Sequence, residues 1–241
     1  MNISIIIPAF NEERLIAETL RQVGVARAAF SRRGWKTELI VCDNNSTDRT
    51  AELSRAAGAR VVFEPVNQIA RARNCGAAAA SGDWLVFIDA DSHPSADLLA
   101  EVAEQIETGR CLAGGCTVKV EGCNPAGTLI TGLWNGISRT GRLLAGSFIF
   151  CEADAFREVG GFSNELFAGE EIELSRRLKQ LARTRRKRIV ILHRHPLLTS
   201  ARKMHLYTIR EHLRFLIKVV LSHKRILSSR EECHTWYDGR R

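Results

Sequence analysis

The chain has 241 residues, of which 45% are hydrophobic, with 18 glycines and 5 prolines; that composition supports one sizeable core and excludes a disordered or collagen-like chain. Its 35 Lys and Arg against 27 Asp and Glu give a formal charge of +8, and no run of about 18 apolar residues would cross a membrane as a helix. The charge is unevenly placed, since residues 1–175 hold 16 basic and 23 acidic side chains while residues 176–241 hold 19 and 4, which argues against a basic recognition face for nucleic acid spread over the whole chain.

From Met1 the chain enters an apolar strand, Ile3 to Ile7, with no basic leader or cleavage site, so it is expected to stay in the cytoplasm. Asn11 is expected to cap a helix whose first turn carries Glu12 and Glu13. Glu38 to Cys42 reads as a second strand, followed by a polar turn from Asp43 to Thr47 and a helix that Gly58 ends. Arg60 to Phe63 is the third strand. An alanine-rich helix from about Ile69 to Ala80 leads into a fourth, Trp84 to Ile88. Short strands apolar on both faces, alternating with helices, predict an α/β fold: a doubly wound, mostly parallel sheet with helices on both faces.

A further helix is expected over about Pro94 to Glu107. Beyond Gly109 the pattern loosens: Leu112 to Val120 and Gly146 to Cys151 read as strands, Glu152 to Val159 as a short helix and Gly160-Gly161 as a turn. The chain is expected to divide into a nucleotide-binding half at 1–108, a looser half at 109–195, and a basic tail at 196–241. Between Met204 and Leu227 the tail places Leu206, Ile209, Leu213, Leu216, Ile217 and Val220 on one helical face beside Arg210, Arg214 and Lys218. Such an amphipathic helix either meets an anionic membrane surface or packs on the domain. The seven cysteines contain no C-x-x-C pair and are expected as free thiols in a reducing compartment. Cys111, Cys116 and Cys123 match no common zinc spacing.

In open α/β sheets ligands gather beyond the carboxyl ends of the strands. Those positions are polar here: Asn11 and Glu12 after the first strand, Asp43 to Ser46 after the second, and Asp89-Ala90-Asp91 after the fourth. No G-x-G-x-x-G follows the first strand and no P-loop signature occurs anywhere, which argues against dinucleotide and P-loop chemistry. On an extended segment Asp89 and Asp91 would point to one side, able to hold Mn²⁺ or Mg²⁺ against a diphosphate. Alternatively Asp91 caps the helix that follows. At Gly169-Glu170-Glu171, two acids are expected at the exposed start of a helix, where one can act as a general base. His193 or His195 would be a third metal ligand.

Taken in order, Ile5-Ile6-Ile7-Pro8-Ala9-Phe10-Asn11-Glu12-Glu13, Asp43-Asn44-Asn45-Ser46-Thr47-Asp48, Ala72-Arg73-Asn74 with Gly76, Asp89-Ala90-Asp91, and Gly160-Gly161-Phe162 with Gly169-Glu170-Glu171 resemble the family 2 glycosyltransferases over about residues 2–195. The resemblance implies a GT-A fold and an inverting, metal-dependent transfer of a sugar from a nucleotide-diphosphate donor. Residue by residue, it implies that Pro8, Phe10 and Glu12 line the nucleoside pocket, Asp43 contacts the base, and Arg73 sits beside base or phosphate. Asp89 and Asp91 would hold ribose and metal, with Glu171, or its neighbour Glu170, as the base. Two departures stand out: the family commonly has Glu-Asp at Glu170-Glu171 and Asp-Asp-Gly-Ser at Asp43-Asn44-Asn45-Ser46.

Without the spanning helices of a processive synthase, a single addition to a lipid-linked or soluble acceptor is expected, at the inner face of the membrane if the tail binds there. One rival is a nucleotidyltransferase on a related sheet, which would want a basic Gly-rich loop where Ala9 to Glu13 is acidic. Another is a membrane or nucleic-acid binding module with a degenerate catalytic domain.

Overall fold

A computed structural model of the chain describes residues 1–122 and 125–200. The strands are β1 (Asn2–Ala9), β2 (Lys36–Asp43), β3 (Arg60–Phe63), β4 (Trp84–Ile88), β5 (Ser92–His93), β6 (Cys111–Glu121), β7 (Phe148–Glu152) and β8 (Arg188–Ser200). They form one sheet in the order β3-β2-β1-β4-β7-β6-β8-β5. β3, β2, β1 and β4 run parallel, β7 is antiparallel to both β4 and β6, β6 and β8 are parallel, and β5 closes the far edge antiparallel to β8.

The helices are α1 (Ile16–Ala26), α2 (Ala28–Ser31), α3 (Thr50–Ala56), α4 (Ile69–Ala79), α5 (Ala96–Glu107), α6 (Pro125–Gly141), α7 (Ala153–Glu158) and α8 (Glu170–Thr184). They cover both faces because the strands are apolar on both. Ile3, Ile5 and Ile7 of β1 join Leu20, Phe30, Leu98 and Val102 from α1, α2 and α5. Ile6 points the other way, into Phe87, Phe156, Phe162, Leu174 and Leu178 with α4, α7 and α8. Each such side chain stabilises the fold by about 1.5–3 kcal/mol. α4 lies so close on β1 that a Cβ at Gly76 would collide with the Ile6 side chain.

Several expectations are corrected. Asn11 does not cap α1: it sits at φ 52, the Glu12 carbonyl closes the turn by accepting from Leu15 and Ile16 N–H, and the helix begins only at Ile16. Asp91 does not cap α5, because Ser95 accepts from the Leu98 N–H at 3.0 Å. α6 is a helix where no element was expected. β8 runs through residue 195 to Ser200. Cys42, Cys75, Cys111, Cys116 and Cys151 are free thiols, and burial pushes the Cys111 thiol up to about 12. Cys123, Cys233 and the amphipathic stretch 204–227 lie outside the described residues.

Candidate active site

The parallel register aligns the strand ends. Ala9 is paired with Asp43, and Ile6 with Phe87, so Pro8, Asp43 and Asp89 lie side by side on one sheet edge. The loops after β1 and β2 are laced together: Asn11 N–H donates to Ser46 Oγ at 3.0 Å, Asn11 Oδ1 accepts from Thr47 N–H at 2.8 Å, and Glu12 N–H donates to Thr50 Oγ1 at 2.7 Å. Pro8, Glu12 and Asp43 are buried and Phe10 is half-buried.

The Asp43–Ser46 turn explains its own departure from the family pattern. Asn45 sits at φ 65, a left-handed conformation that Gly and Asn tolerate best. Asn44 is 4% exposed and uses its whole amide, donating to the carbonyls of Glu64 and Val66 and accepting from Gln68 N–H. A carboxylate there could accept but not donate.

Asp89-Ala90-Asp91 is a turn rather than an extended segment. β4 ends at Ile88, and Ser92 N–H bonds the Asp89 carbonyl at 3.1 Å. Its backbone is tied on three sides: Asp89 N–H to Ser147 O at 3.2 Å, Ala90 O to Thr19 Oγ1 at 2.6 Å, and Asp91 O to Ser200 N–H at 3.2 Å. The Asp91 side chain is buried, with one oxygen 3.4 Å from Ser92 Oγ.

Arg73 joins the two acidic centres. It is 1% exposed, and its Nη2 donates to Asp89 Oδ1 at 3.0 Å and to the Gly146 carbonyl at 2.8 Å, while Nη1 donates to Glu170 Oε1 at 2.7 Å. The guanidinium lies 5.2 Å over the Phe162 ring, a cation–π placement. Despite burial, the acids Asp89, Glu170 and Glu171 raise its pKa. Arg73 thus braces carboxylates from both acidic centres.

Asn74, next on α4, explains why the Arg73-Asn74 and Gly160-Gly161-Phe162 motifs occur together. Its amide donates to Phe162 O and accepts from Phe162 N–H, both at 2.9 Å. Gly161 is at φ 68, where a Cβ would also strike Asn74 Oδ1. Gln68 Nε2 donates to the carbonyls of Asn164 and Leu166, at 2.9 Å each. The loop that delivers α8 is therefore held by α4.

Glu170 is not at an exposed helix start: it is 4% exposed, drawn under Arg73. Its neighbour Glu171 is partly exposed. Burial first, then the adjacent Glu170, push the Glu171 carboxyl up to about 8 against the pull of Arg73, an environment suited to exchanging a proton near neutral pH. On α8, Leu174, Leu178 and Ala182 are buried and Ile172 only partly so.

His193 is not brought to this site. It is exposed, and its neighbour Leu192 pairs with Cys116 while Ser200, which touches Asp91, pairs with Glu121. That separation along β6 is about 16 Å at roughly 3.3 Å per residue. His195 instead lies 3.4 Å from Glu101 on α5. No group of three or more His, Cys, Asp or Glu side chains gathers around a metal position among the described residues. The hard oxygen donors of Asp89 and Asp91 nevertheless fit Mg²⁺ or Mn²⁺, which take one or two carboxylates plus substrate phosphates rather than a full protein cage. The Gly146 carbonyl is a contributor that no side-chain motif could reveal.

A sequence profile described as Glycosyl transferase family 2 matches residues 4–157. Glycosyltransferase AglE of Haloferax volcanii is 29% identical over 190 residues, covering 73% of this chain and 60% of that protein. The chain spans less than two thirds of the length of the curated relatives it matches first. Among solved structures, the mannosyltransferase PcManGT from Pyrobaculum calidifontis, in complex with GDP-Man and Mn²⁺, superposes with a TM-score of 0.66 at 18% identity over 98% of this chain and 72% of that one. S. aureus TarS 1–349 in complex with UDP-GlcNAc gives 0.64 at 20% identity, covering 98% and 69%. These likenesses establish the fold as that of GT-A enzymes.

Proposed function

The chain belongs to glycosyl transferase family 2, and from that premise we propose that it moves a sugar from a nucleoside-diphosphate donor to an acceptor hydroxyl by a single inverting displacement. The observation that carries this reading is the Arg73 bridge. One guanidinium holds Asp89, on the side suited to a metal and diphosphate, and Glu170, next to the partly exposed Glu171. Leaving-group and nucleophile machinery thus share one anchor.

Glu171 accepts the proton of the acceptor hydroxyl as its oxygen attacks the anomeric carbon, while the bond to the donor's diphosphate breaks and its electron pair leaves with the nucleotide. Pro8, Phe10, Glu12 and Asp43 line the nucleoside side. Asp89 and Asp91 would hold Mn²⁺ or Mg²⁺, which when bound would supply neutralisation of charge on the departing diphosphate. Two solved relatives with nucleotide sugars, one also with Mn²⁺, support the donor class. Arg73 and Glu170 are positioning residues. Residues 1–108 serve the donor and 109–195 the acceptor, which receives one sugar and is lipid-linked or soluble. No described helix is long and apolar enough to cross a membrane; the basic stripe of 204–227 would meet an anionic membrane face from the cytoplasm.

The test is release of free nucleoside diphosphate from a panel of nucleotide sugars, with Mn²⁺ and after chelation. Glu171→Gln should slow turnover on the active donor by about 10²- to 10⁴-fold. Donor turnover that survives chelation and this substitution unchanged would overturn the proposal.

A further inference from the structure

Helix α6 is built inside out. Two of its polar side chains face the protein: Asn135 donates to the Val118 carbonyl at 2.9 Å and accepts from the Val118 N–H at 3.0 Å, beside the register shift between Cys116 and Val118 of β6. Ser138, 1% exposed, donates to the Leu143 carbonyl at 2.6 Å. Its apolar side chains face out. Leu129, Leu133 and Ile137 follow at four-residue spacing and are 66%, 61% and 56% exposed. With Gly132, Gly136 and the hydroxyl-bearing Thr128 and Thr140 toward either end, they line an open groove of about 940 Å³. Exposed apolar side chains scattered singly need no explanation, but a continuous stripe on one helix marks a surface that meets something apolar.

A second observation gives the chemistry of that partner. Lys179 of α8 donates to the carbonyl of Gly141, the last residue of α6. Around it stand Arg142, Arg176 and Arg183; partial burial and then the field of these three hold the Lys179 ammonium below its ordinary value. All three arginines are exposed. Among the described residues no carboxylate pairs with any of them or with Arg139 of α6. An apolar stripe ending in unneutralised cations is the pattern of a helix lying in the headgroup region of an anionic bilayer.

We propose that α6 and the Arg142, Arg176, Lys179 and Arg183 cluster form a docking surface for an anionic lipid bilayer, with Leu129, Leu133 and Ile137 toward the acyl chains. Other occupants match the charge less well. A second copy of α6 brings no acid, since Arg139 is the helix's one charged residue, and residues 201–241 carry ten Lys and Arg against four Asp and Glu. This surface is built from residues other than 204–227 and requires no donor, so it stands or falls apart from the transfer reaction.

The experiment is sedimentation of the full chain with vesicles of phosphatidylcholine alone or of phosphatidylcholine and phosphatidylserine in equal parts. The chain should bind the mixed vesicles in preference. Leu133→Asp with Ile137→Asp, both at exposed positions, should lower the bound fraction at least tenfold at an unchanged melting temperature. Arg142→Glu with Arg183→Glu should erase the preference for the anionic lipid and most of its salt sensitivity. The proposal is overturned if the wild-type chain ignores the mixed vesicles, or if both α6 and arginine variants bind like wild type while Leu213→Asp with Leu216→Asp abolishes binding. It is equally overturned if the α6 variant merely converts a dimer to a monomer at undiminished lipid binding.

Discussion

Replacing Arg73 by methionine removes a cation of similar length from the centre of the site. The Arg73 and Glu170 side chains are 2% and 5% exposed, and the substitution leaves Glu170 buried with no cation bonded to it. Losing one partner of a buried pair costs about 3–5 kcal/mol. Asp89, at 15% side-chain exposure, loses a weaker bond because water can reach it. At ~2–4 °C per kcal/mol for a domain of this size, the melting temperature should fall by about 6–20 °C. The second arm is Arg73→Met with Glu170→Leu, which removes both charges together. Because much of the cost of the single change is the stranded carboxylate, the double variant should recover at least about 2 kcal/mol relative to Arg73→Met. Urea unfolding followed by circular dichroism measures both. A loss below about 1 kcal/mol for Arg73→Met, or strictly additive effects, would refute the claim that this guanidinium braces the two acidic centres.

Turnover should rise with pH through about 8, because Glu171 must lose its proton to act as a base and its value lies there; a flat profile with a non-ionisable acceptor would contradict the assignment. Stability should move the opposite way. The folded value lies above the ordinary 4.5, so the contribution of this group is fully present below that ordinary value and is lost as pH rises through about 8. Melting curves of Glu171→Gln should lack that component of the decline. At Asn45, φ 65 makes Asn45→Ala cost about 1–2 kcal/mol while Asn45→Gly stays within a few tenths, as chemical denaturation of the two variants will show.

What could be read from the residues alone follows the range of the forces involved. The strands Arg60–Phe63 and Trp84–Ile88 appear at their expected bounds; for the fully buried Trp84–Ile88 this is because a strand between two helical layers is a short apolar run whose ends coincide with the end of burial, while Arg60–Phe63, at the sheet edge, is marked by its β-branched pair Val61-Val62. Asn11 was misread because its side-chain oxygen is captured by Thr47, 36 residues away, where local capping rules have no purchase. The expectation of an extended segment from Asp89 to Asp91 fails for a similar reason: the chain turns as soon as β4 ends. Glu170 looked exposed since nothing near it in sequence buries it; its partner Arg73 lies 97 residues earlier. α6 escaped notice because Gly127, Gly132, Gly136 and Gly141 punctuate its sequence, and each glycine disfavours a helix by about 0.5–1 kcal/mol relative to alanine. The motif pairs around Arg73-Asn74 and Gly160-Gly161-Phe162 were legible as a family resemblance, but their cause, an amide shared between α4 and the loop before α8, is visible only in three dimensions.

Titration calorimetry of the nucleoside diphosphate with Mn²⁺ on three proteins tests the division of labour most directly. Wild type should bind with strong dependence on the ion, Glu171→Gln should bind comparably while losing donor turnover, and Asp91→Asn should lose the ion-dependent part of binding. Equal, Mn²⁺-dependent binding by Asp91→Asn and wild type would contradict the assignment of the metal and diphosphate to the turn after β4.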